Sequence, residues 1–263
     1  MQNMVQAAYF SDNTLKKRPH YHDCHQLLLI TKGQVTFCVN GASYEAKAGS
    51  VAIFSRYENH SVTLTSGTYE RYVLHLSPTA ASRENRLYTL LSNRPPEFRN
   101  ILDVSGQLEE FTRLFARITL EKSEPQKMGE DMLQLLVSEL LILICRVIPE
   151  STVPDKATAD MVYEIQQRFE NDFSRSYTLE ALAKEYSVSP SSLSHQFKNV
   201  TGASVMGYLQ SCRLASAKRY LTQTRLSISQ IVERCGFSDC SNFSRTFRKQ
   251  NGISPSAFRS RYS

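Results

Sequence analysis

Three histidines and a glutamine near the start of the chain are the residues best suited to bind a ligand. His20 and His22 are two residues apart, Gln26 follows closely, and His60 comes later. Imidazoles two residues apart on a strand point to the same side. Imidazole is a good ligand for zinc, copper, iron and nickel, whereas an amide such as that of Gln26 is a poor one. A metal site is therefore one interpretation. We favour the other, a pocket for an organic ligand without metal or cofactor.

The segments around these residues have the pattern of a small β-sandwich or jelly roll. Short apolar runs alternate with turns, and Asn40-Gly41 is a strong hairpin signal between two of them. Strands this short and evenly spaced are typical of a closed or sandwiched antiparallel fold. The predicted strands cover residues 26–30, 34–39, 42–48, 51–55, 61–65 and 69–76.

This region resembles a cupin barrel. The spacing from His20 and His22 to Gln26 fits the first cupin motif, with glutamine in place of its glutamate, and Gly49 and His60 fit the second. The resemblance implies either a metal held by the histidines or a barrel interior that binds an effector. Arg56 could hold an anionic effector. The candidate pocket residues are His20, His22, Gln26, Arg56, His60, Tyr72 and His75, with His25 beside them.

The last part of the chain has the pattern of a helix-turn-helix. Apolar residues at helical spacing predict helices over 228–235 and 239–249, joined at Gly236, which suits a helix C-terminus. Ser238 is the expected N-cap of the second helix. The second helix of such a motif enters the DNA major groove.

The same pattern occurs once before. Residues 178–204 superimpose on it with an offset of 49 that becomes 50 after the turn, and a helical pattern over 205–221 joins the two copies. Two such units on one connecting helix would place two reading helices about one helical turn of DNA apart.

Residues 178–259 resemble the DNA-binding domain of the AraC/XylS family of bacterial transcription regulators. The matched positions include Leu179, Ala183, Pro190, Leu193, Phe197, Gly202, Leu209, Arg213, Leu221, Ile228, Ile231, Gly236, Phe243, Phe247, Gly252, Pro255 and Arg259. The resemblance implies a regulator, most often an activator, that binds promoter DNA and a small-molecule effector. It also implies contact with RNA polymerase and a homodimer.

Outward positions of the two reading helices are the candidate DNA contacts. Arg245 is the best candidate for a bidentate contact to guanine, and His195 could donate to a base or a phosphate. Lys198, Arg248 and Lys249 come later in their helices, where phosphate is the expected partner. The full candidate set is Ser191, Ser194, His195, Lys198, Cys240, Ser241, Ser244, Arg245, Arg248 and Lys249.

The expected fold class is a multidomain α+β protein. We predict a cupin-like barrel over 1–98, a helical packing or dimerisation segment over 99–149, a linker over 150–158, and a DNA-binding domain over 159–263. Its helix-turn-helix units are 178–202 and 227–252. The apolar helix over 128–148 must be covered on more than one side. We favour its own barrel and the preceding helix as the cover. The alternative is a dimer seam of Leu133, Leu136, Leu140 and Ile144.

Charge and cysteine usage agree with a cytoplasmic, DNA-binding protein. Residues 160–263 hold 14 basic and 8 acidic residues and carry the whole net charge of +6, whereas the rest is balanced. Positive charge confined to the helix-turn-helix region suits phosphate binding. The 6 cysteines include no CxxC pair and predict free thiols. No secretion signal or membrane span is evident.

The leading hypothesis is an effector-controlled transcription regulator, not an enzyme. A cupin enzyme, such as an isomerase or dioxygenase with an appended DNA-binding domain, would require a metal, and Gln26 argues against one. A scaffold protein that binds DNA without sensing an effector is the third possibility.

Overall fold

The computed structural model describes residues 4–12, 17–65, 67–77, 91, 100–148 and 156–262. The chain divides into two compact units, Met1–Asp155 and Lys156–Ser263. The first unit consists of strands followed by helices, and the second is helical. This is the fold class that the sequence predicts. The finer segment boundaries remain predictions, and residues 150–155 of the expected linker lie outside the described part of the chain.

The first unit contains two antiparallel sheets. The five-stranded sheet has the order β1-β8-β3-β6-β9, and the four-stranded sheet has the order β2-β7-β4-β5. The strands are β1 (Val5–Ser11), β2 (Lys17–His20), β3 (His25–Lys32), β4 (Gln34–Val39), β5 (Ala42–Lys47), β6 (Ser50–Phe54), β7 (His60–Leu64), β8 (Glu70–Leu76) and β9 (Ile101–Asp103). Strands β1, β2 and β9 were not predicted, and β9 lies beyond the 1–98 predicted for the barrel.

The five-stranded sheet is buried on both faces. Side chains alternate along each strand. On β3, Leu28 and Ile30 pack with Phe37 and Phe54 in the core between the two sheets. Leu27, one position away, belongs to a second core on the opposite face, which the helices cover. The parity of a residue on a strand therefore decides whether it faces the sandwich interior or the helices.

Two helices cover the outer face of this sheet. After a 3-10 turn at Ser105–Gln107 come α1 (Leu108–Ser123) and α2 (Gly129–Val147). Their apolar residues join the core of the sheet. Leu133, Leu136, Leu140 and Ile144 are each at most 3% exposed, so they are covered within the chain, as we favoured, and do not form a dimer seam. Over the described residues, no helix is both long and apolar enough to cross a bilayer.

The second unit is built from two equivalent helix-turn-helix motifs. Its helices are α3 (Lys156–Asn171), α4 (Leu179–Glu185), α5 (Pro190–Thr201), α6 (Val205–Gln223), α7 (Ile228–Arg234), α8 (Cys240–Asn251) and α9 (Pro255–Tyr262). Helix α4 begins at the N-cap Thr178, whose hydroxyl accepts a hydrogen bond from the amide of Ala181. Helix α7 begins 49 residues later at Ser227, which forms a capping box with Gln230. The internal repeat is therefore also a repeat of backbone structure.

One arginine holds the segment before each helix-turn-helix motif. The Nε of Arg213 on α6 donates to the carbonyl oxygen of Phe173 at 2.8 Å, just before the first motif. Arg259 on α9 donates from Nη2 to the carbonyl oxygen of Leu226 at 2.6 Å, just before the second. Both guanidinium groups satisfy backbone carbonyls that no helix pairs.

All six cysteines of the chain are free thiols. Cys235 is buried in the core of the second motif, and burial raises the pKa of its thiol to about 12. Cys240 is exposed at the first position of α8.

Candidate DNA interface and effector site

The N-caps of α5 and α8 set the start of the two reading helices. Ser189 caps α5, and its hydroxyl accepts from the amide of Ser192 at 3.1 Å. Asp239 caps α8, and its carboxylate accepts from the amide of Asn242 at 2.7 Å. The prediction that Ser238 caps α8 was wrong by one residue. Its hydroxyl instead donates to Asp239 at 2.9 Å. Ser238 is the extra residue that raises the repeat offset from 49 to 50.

Each reading helix buries one face and leaves the other exposed. Leu193 and Phe197 on α5, and Phe243 and Phe247 on α8, are completely buried. The opposite face holds the predicted DNA contacts. Ser191, His195, Lys198, Cys240, Ser241, Arg245, Arg248 and Lys249 are exposed, and Ser194 and Ser244 are half-buried.

The outward faces of α5 and α8 match position by position. At the offset of 50, His195 corresponds to Arg245 and Lys198 corresponds to Arg248. The first pair lies in the middle of each helix, and the second lies in its last turn. Both helices therefore present one polar or charged group at the same place, followed by a cation one turn later.

Asn199 is a further polar residue on the outward face of α5 that we did not predict. It is exposed, and its Nδ2 lies 3.3 Å from Nδ1 of His195. An amide nitrogen can only donate, so the ring nitrogen accepts this hydrogen bond. The spacing of four residues from His195 was the available signal, because such residues lie on the same helix face.

The first unit brings His20, His22 and His60 together. His20 on β2 pairs directly across the sheet with His60 on β7. The ring centroids of this pair are 4.6 Å apart, and the ring of His22 lies 5.0 Å from His20 and 5.4 Å from His60. One nitrogen from each ring lies within 4.8 Å of the other two. We call these three residues the histidine cluster.

Gln26 and His75 continue this polar group onto the other sheet. They are paired residues of β3 and β8, and their Nε2 atoms are 2.8 Å apart. The His75 ring lies 5.0 Å from that of His22. Since the Gln26 amide nitrogen donates, His75 accepts through Nε2. The structure thus groups five of the seven predicted pocket residues.

The other two predicted pocket residues have other surroundings. Arg56 donates from Nε to the Asp23 carboxylate at 2.7 Å, and its guanidinium lies over the Tyr57 ring. Its charge is therefore already balanced by Asp23. Tyr72 packs on Phe10 and on the outer core. It lies three residues from His75 on the same strand, so the two side chains face opposite sides, a fact that strand parity could have shown.

Two surface grooves of this unit lie elsewhere. One is lined by residues 105–110 with Arg113, and the other by residues of β4, β5, β6 and β9. Neither is bordered by a residue of the histidine cluster.

Each of the two units contains a match to a known protein family. Residues 5–139 match the AraC-like ligand binding domain, and residues 182–261 match a helix-turn-helix domain. The chain is 27% identical to the HTH-type transcriptional activator RhaS of Salmonella schwarzengrund over 243 residues, which are 90% of this chain and 85% of that protein.

The fold is also that of ToxT from Vibrio cholerae. One ToxT structure superimposes with a TM-score of 0.66 at 15% identity and covers 99% of both chains. Another, bound to (E)-4-(8-methylnaphthalen-1-yl)but-3-enoic acid, gives a TM-score of 0.63 at 14% identity, with 99% of this chain and 100% of that chain covered. An AraC-like ligand-binding domain followed by paired helix-turn-helix motifs places this chain in the AraC family of DNA-binding transcription regulators, which are not enzymes.

Proposed function

We propose that this regulator is a cytoplasmic activator that binds promoter DNA through α5 and α8. The observation that carries this proposal is the matched outward faces of the two helices, each exposed and each opposite a fully buried apolar face. Arg245 would read guanine, and Lys198, Arg248 and Lys249 would bind phosphates. The name of the relative RhaS supports activation. Contact with RNA polymerase is the mechanism that activation would require.

The effector would bind inside the sandwich, next to the histidine cluster. The interior is apolar, with Phe37 and Phe54 in its core, and the histidines with Gln26 form a polar group beside it. A small organic molecule with an apolar body and one polar group suits such a site. The carboxylic acid bound to ToxT has this chemistry. Binding would be detected as a rise in melting temperature with effector concentration.

A homodimer would use the exposed face of α2. Met132, Leu135 and Ile142 are between 40% and 66% exposed. With Glu139 they follow each other at spacings of three and four residues, which is the pattern of a coiled-coil seam. We call these four residues the α2 stripe. It lies on the opposite side of the helix from the leucines that we first considered for this role.

Selection of bound sequences from random DNA duplexes tests the proposed function. We expect a site with two motifs about 10 bp apart, bound less tightly as salt rises. The full-length chain should be compared with residues 156–263 alone. If neither selects a site, sequence-specific binding is excluded. If only the shorter chain does, the first unit blocks DNA binding until the effector is present. Transcription from a promoter that carries the selected site then tests activation directly.

A further inference from the structure

We propose that His20, His22 and His60 form a binding site for one divalent transition-metal ion, with zinc the best match. The proposal departs from our expectation of no metal and goes beyond the proposed function, since it does not depend on DNA binding or on the organic effector. It rests on the donor set, on the distances within the cluster, and on the contacts that orient His60.

The donor set suits zinc. In some zinc sites three neutral imidazoles bind the ion and the fourth coordination position is open to water or substrate. Imidazole also suits copper, iron and nickel. Calcium and magnesium prefer oxygen ligands, which the cluster does not offer. Gln26 replaces the carboxylate of a cupin site, but its amide nitrogen faces His75. The three-histidine set is therefore complete without it.

The distances are close to those of a metal site. In a tetrahedral site with Zn–N bonds of about 2.0–2.1 Å, the nitrogens are about 3.3 Å apart. The three nitrogens of the cluster already lie within 4.8 Å of one another. Each needs to move by about an ångström or less, which rotation of His20 and His22, both half-buried, can provide.

A hydrogen bond and a stacked ring hold His60 in place and leave one of its ring nitrogens available for a metal. Its Nδ1 lies 3.0 Å from the backbone oxygen of Glu58. A carbonyl oxygen can only accept, so Nδ1 carries the proton and the lone pair of the neutral ring lies on Nε2. A hydrogen bond from the second ring nitrogen to a carbonyl is the usual support of a metal-bound histidine. The ring also stacks on Phe54 at 4.1 Å, with only 6° between the planes.

The bound ion would join two strands and one loop. His20 belongs to β2 and His60 to β7, and His22 follows β2 in the connection to β3. These strands pair through few residues, with an irregular register between Lys17 and His20. A shared ion would hold this weakly paired edge in place and leave one coordination position for water or for an anionic group of an effector.

The experiment uses the full-length chain without a histidine tag, freed of metal by a chelator. Zn²⁺ and Co²⁺ are titrated in separate calorimetric experiments, and the visible spectrum of bound Co²⁺ reports its coordination. The variants are His20→Ala, His22→Ala and His60→Gln. His195→Ala, which removes the exposed histidine of the second unit, is the matched control. Circular dichroism and melting without metal show whether each variant is folded.

We expect one ion per chain, a spectrum of four-coordinate Co²⁺, and a melting temperature that rises with Zn²⁺. Each cluster variant should bind at least about 100-fold more weakly, and the control should bind like the wild type. If His60→Gln does not fold, the metal affinities of His20→Ala and His22→Ala test the site. Equal binding by folded cluster variants and wild type, or no binding by the wild type, would overturn the site. Either result leaves the DNA-selection test unaffected.

Discussion

Ser187 and Gly236 occupy the same point of the two helix-turn-helix motifs, and both have a left-handed backbone, with φ of 56° and 71°. Each follows the first helix of its motif and lets the chain turn into the reading helix. Only the second position has glycine. The two residues differ in their surroundings, because a Cβ on Gly236 would overlap the backbone of Ser174.

Gly236→Ala should destabilise the second unit. The left-handed backbone costs a non-glycine residue about 1–2 kcal/mol, and the overlap with Ser174 adds to this cost. Ser187→Gly is the matched change in the first motif, and it should alter the free energy of unfolding by less than about 1 kcal/mol. Chemical denaturation of both variants measures the difference. Equal effects of the two substitutions would show that the overlap is accommodated.

Replacing Asp239 by asparagine should change how stability depends on pH. The amide of Asn242 and then the hydroxyl of Ser238 hold the pKa of the Asp239 carboxyl below its usual range. The carboxylate therefore stabilises the folded state at neutral pH, and this contribution disappears as pH falls through the lowered pKa. Asparagine is also a good N-cap but has no charge.

The wild type should therefore melt above Asp239→Asn at pH 7, and the difference should shrink below about pH 4. Thermal melting of both proteins between pH 7 and pH 3 measures it. A difference that stays constant over this range would mean that the charge of Asp239 contributes nothing.

Arg245→Ala should weaken binding to the selected DNA site by about 1–3 kcal/mol and relax the preference at one base pair. The comparison is Arg248→Ala, three residues later on the same exposed face of α8. It should weaken binding to all sequences alike. It should also make the slope of log affinity against log salt concentration shallower by about 1. Competition binding with single-base variants of the site separates the two effects. Uniform weakening by Arg245→Ala would reassign that residue to phosphate.

Leu135→Asp should convert the proposed dimer into a monomer. Leu135 lies in the middle of the α2 stripe and is 66% exposed, so the substitution disturbs no core. Leu120→Asp is the control, because Leu120 is 59% exposed on α1 and lies outside the stripe. Analytical ultracentrifugation over a range of concentrations gives the assembly state. A dimer that survives Leu135→Asp would place the interface elsewhere, and a monomeric wild type would exclude the dimer.

The sequence predicted the elements with strong local signals. Strand β4 was predicted at its observed bounds, because an Asn-Gly hairpin follows it. Strand β2 was missed because KRPH is polar and contains a proline, and its pairing with β7 depends on tertiary contacts. The three residues of β9 are too few to show a period.

Site residues were predictable to the extent that one element positions them. The outward faces of α5 and α8 follow from helical period alone. Grouping His22 with His75 required knowledge of how the two sheets pack, and the partner of Arg56 required the position of Asp23. The favoured cover for α2 was correct because a helix so apolar needs neighbours on several sides.

The internal hydrogen bonds of Arg213 and Arg259 have a consequence for the ionic atmosphere of DNA. The number of counterions released on binding depends on the cations that reach phosphates, not on the net charge of the protein. Arg213 and Arg259 are bound to backbone carbonyls, and Arg168 forms a bidentate ion pair with Glu185. The slope of log affinity against log salt concentration should therefore be shallower than the 14 basic residues of 160–263 would suggest.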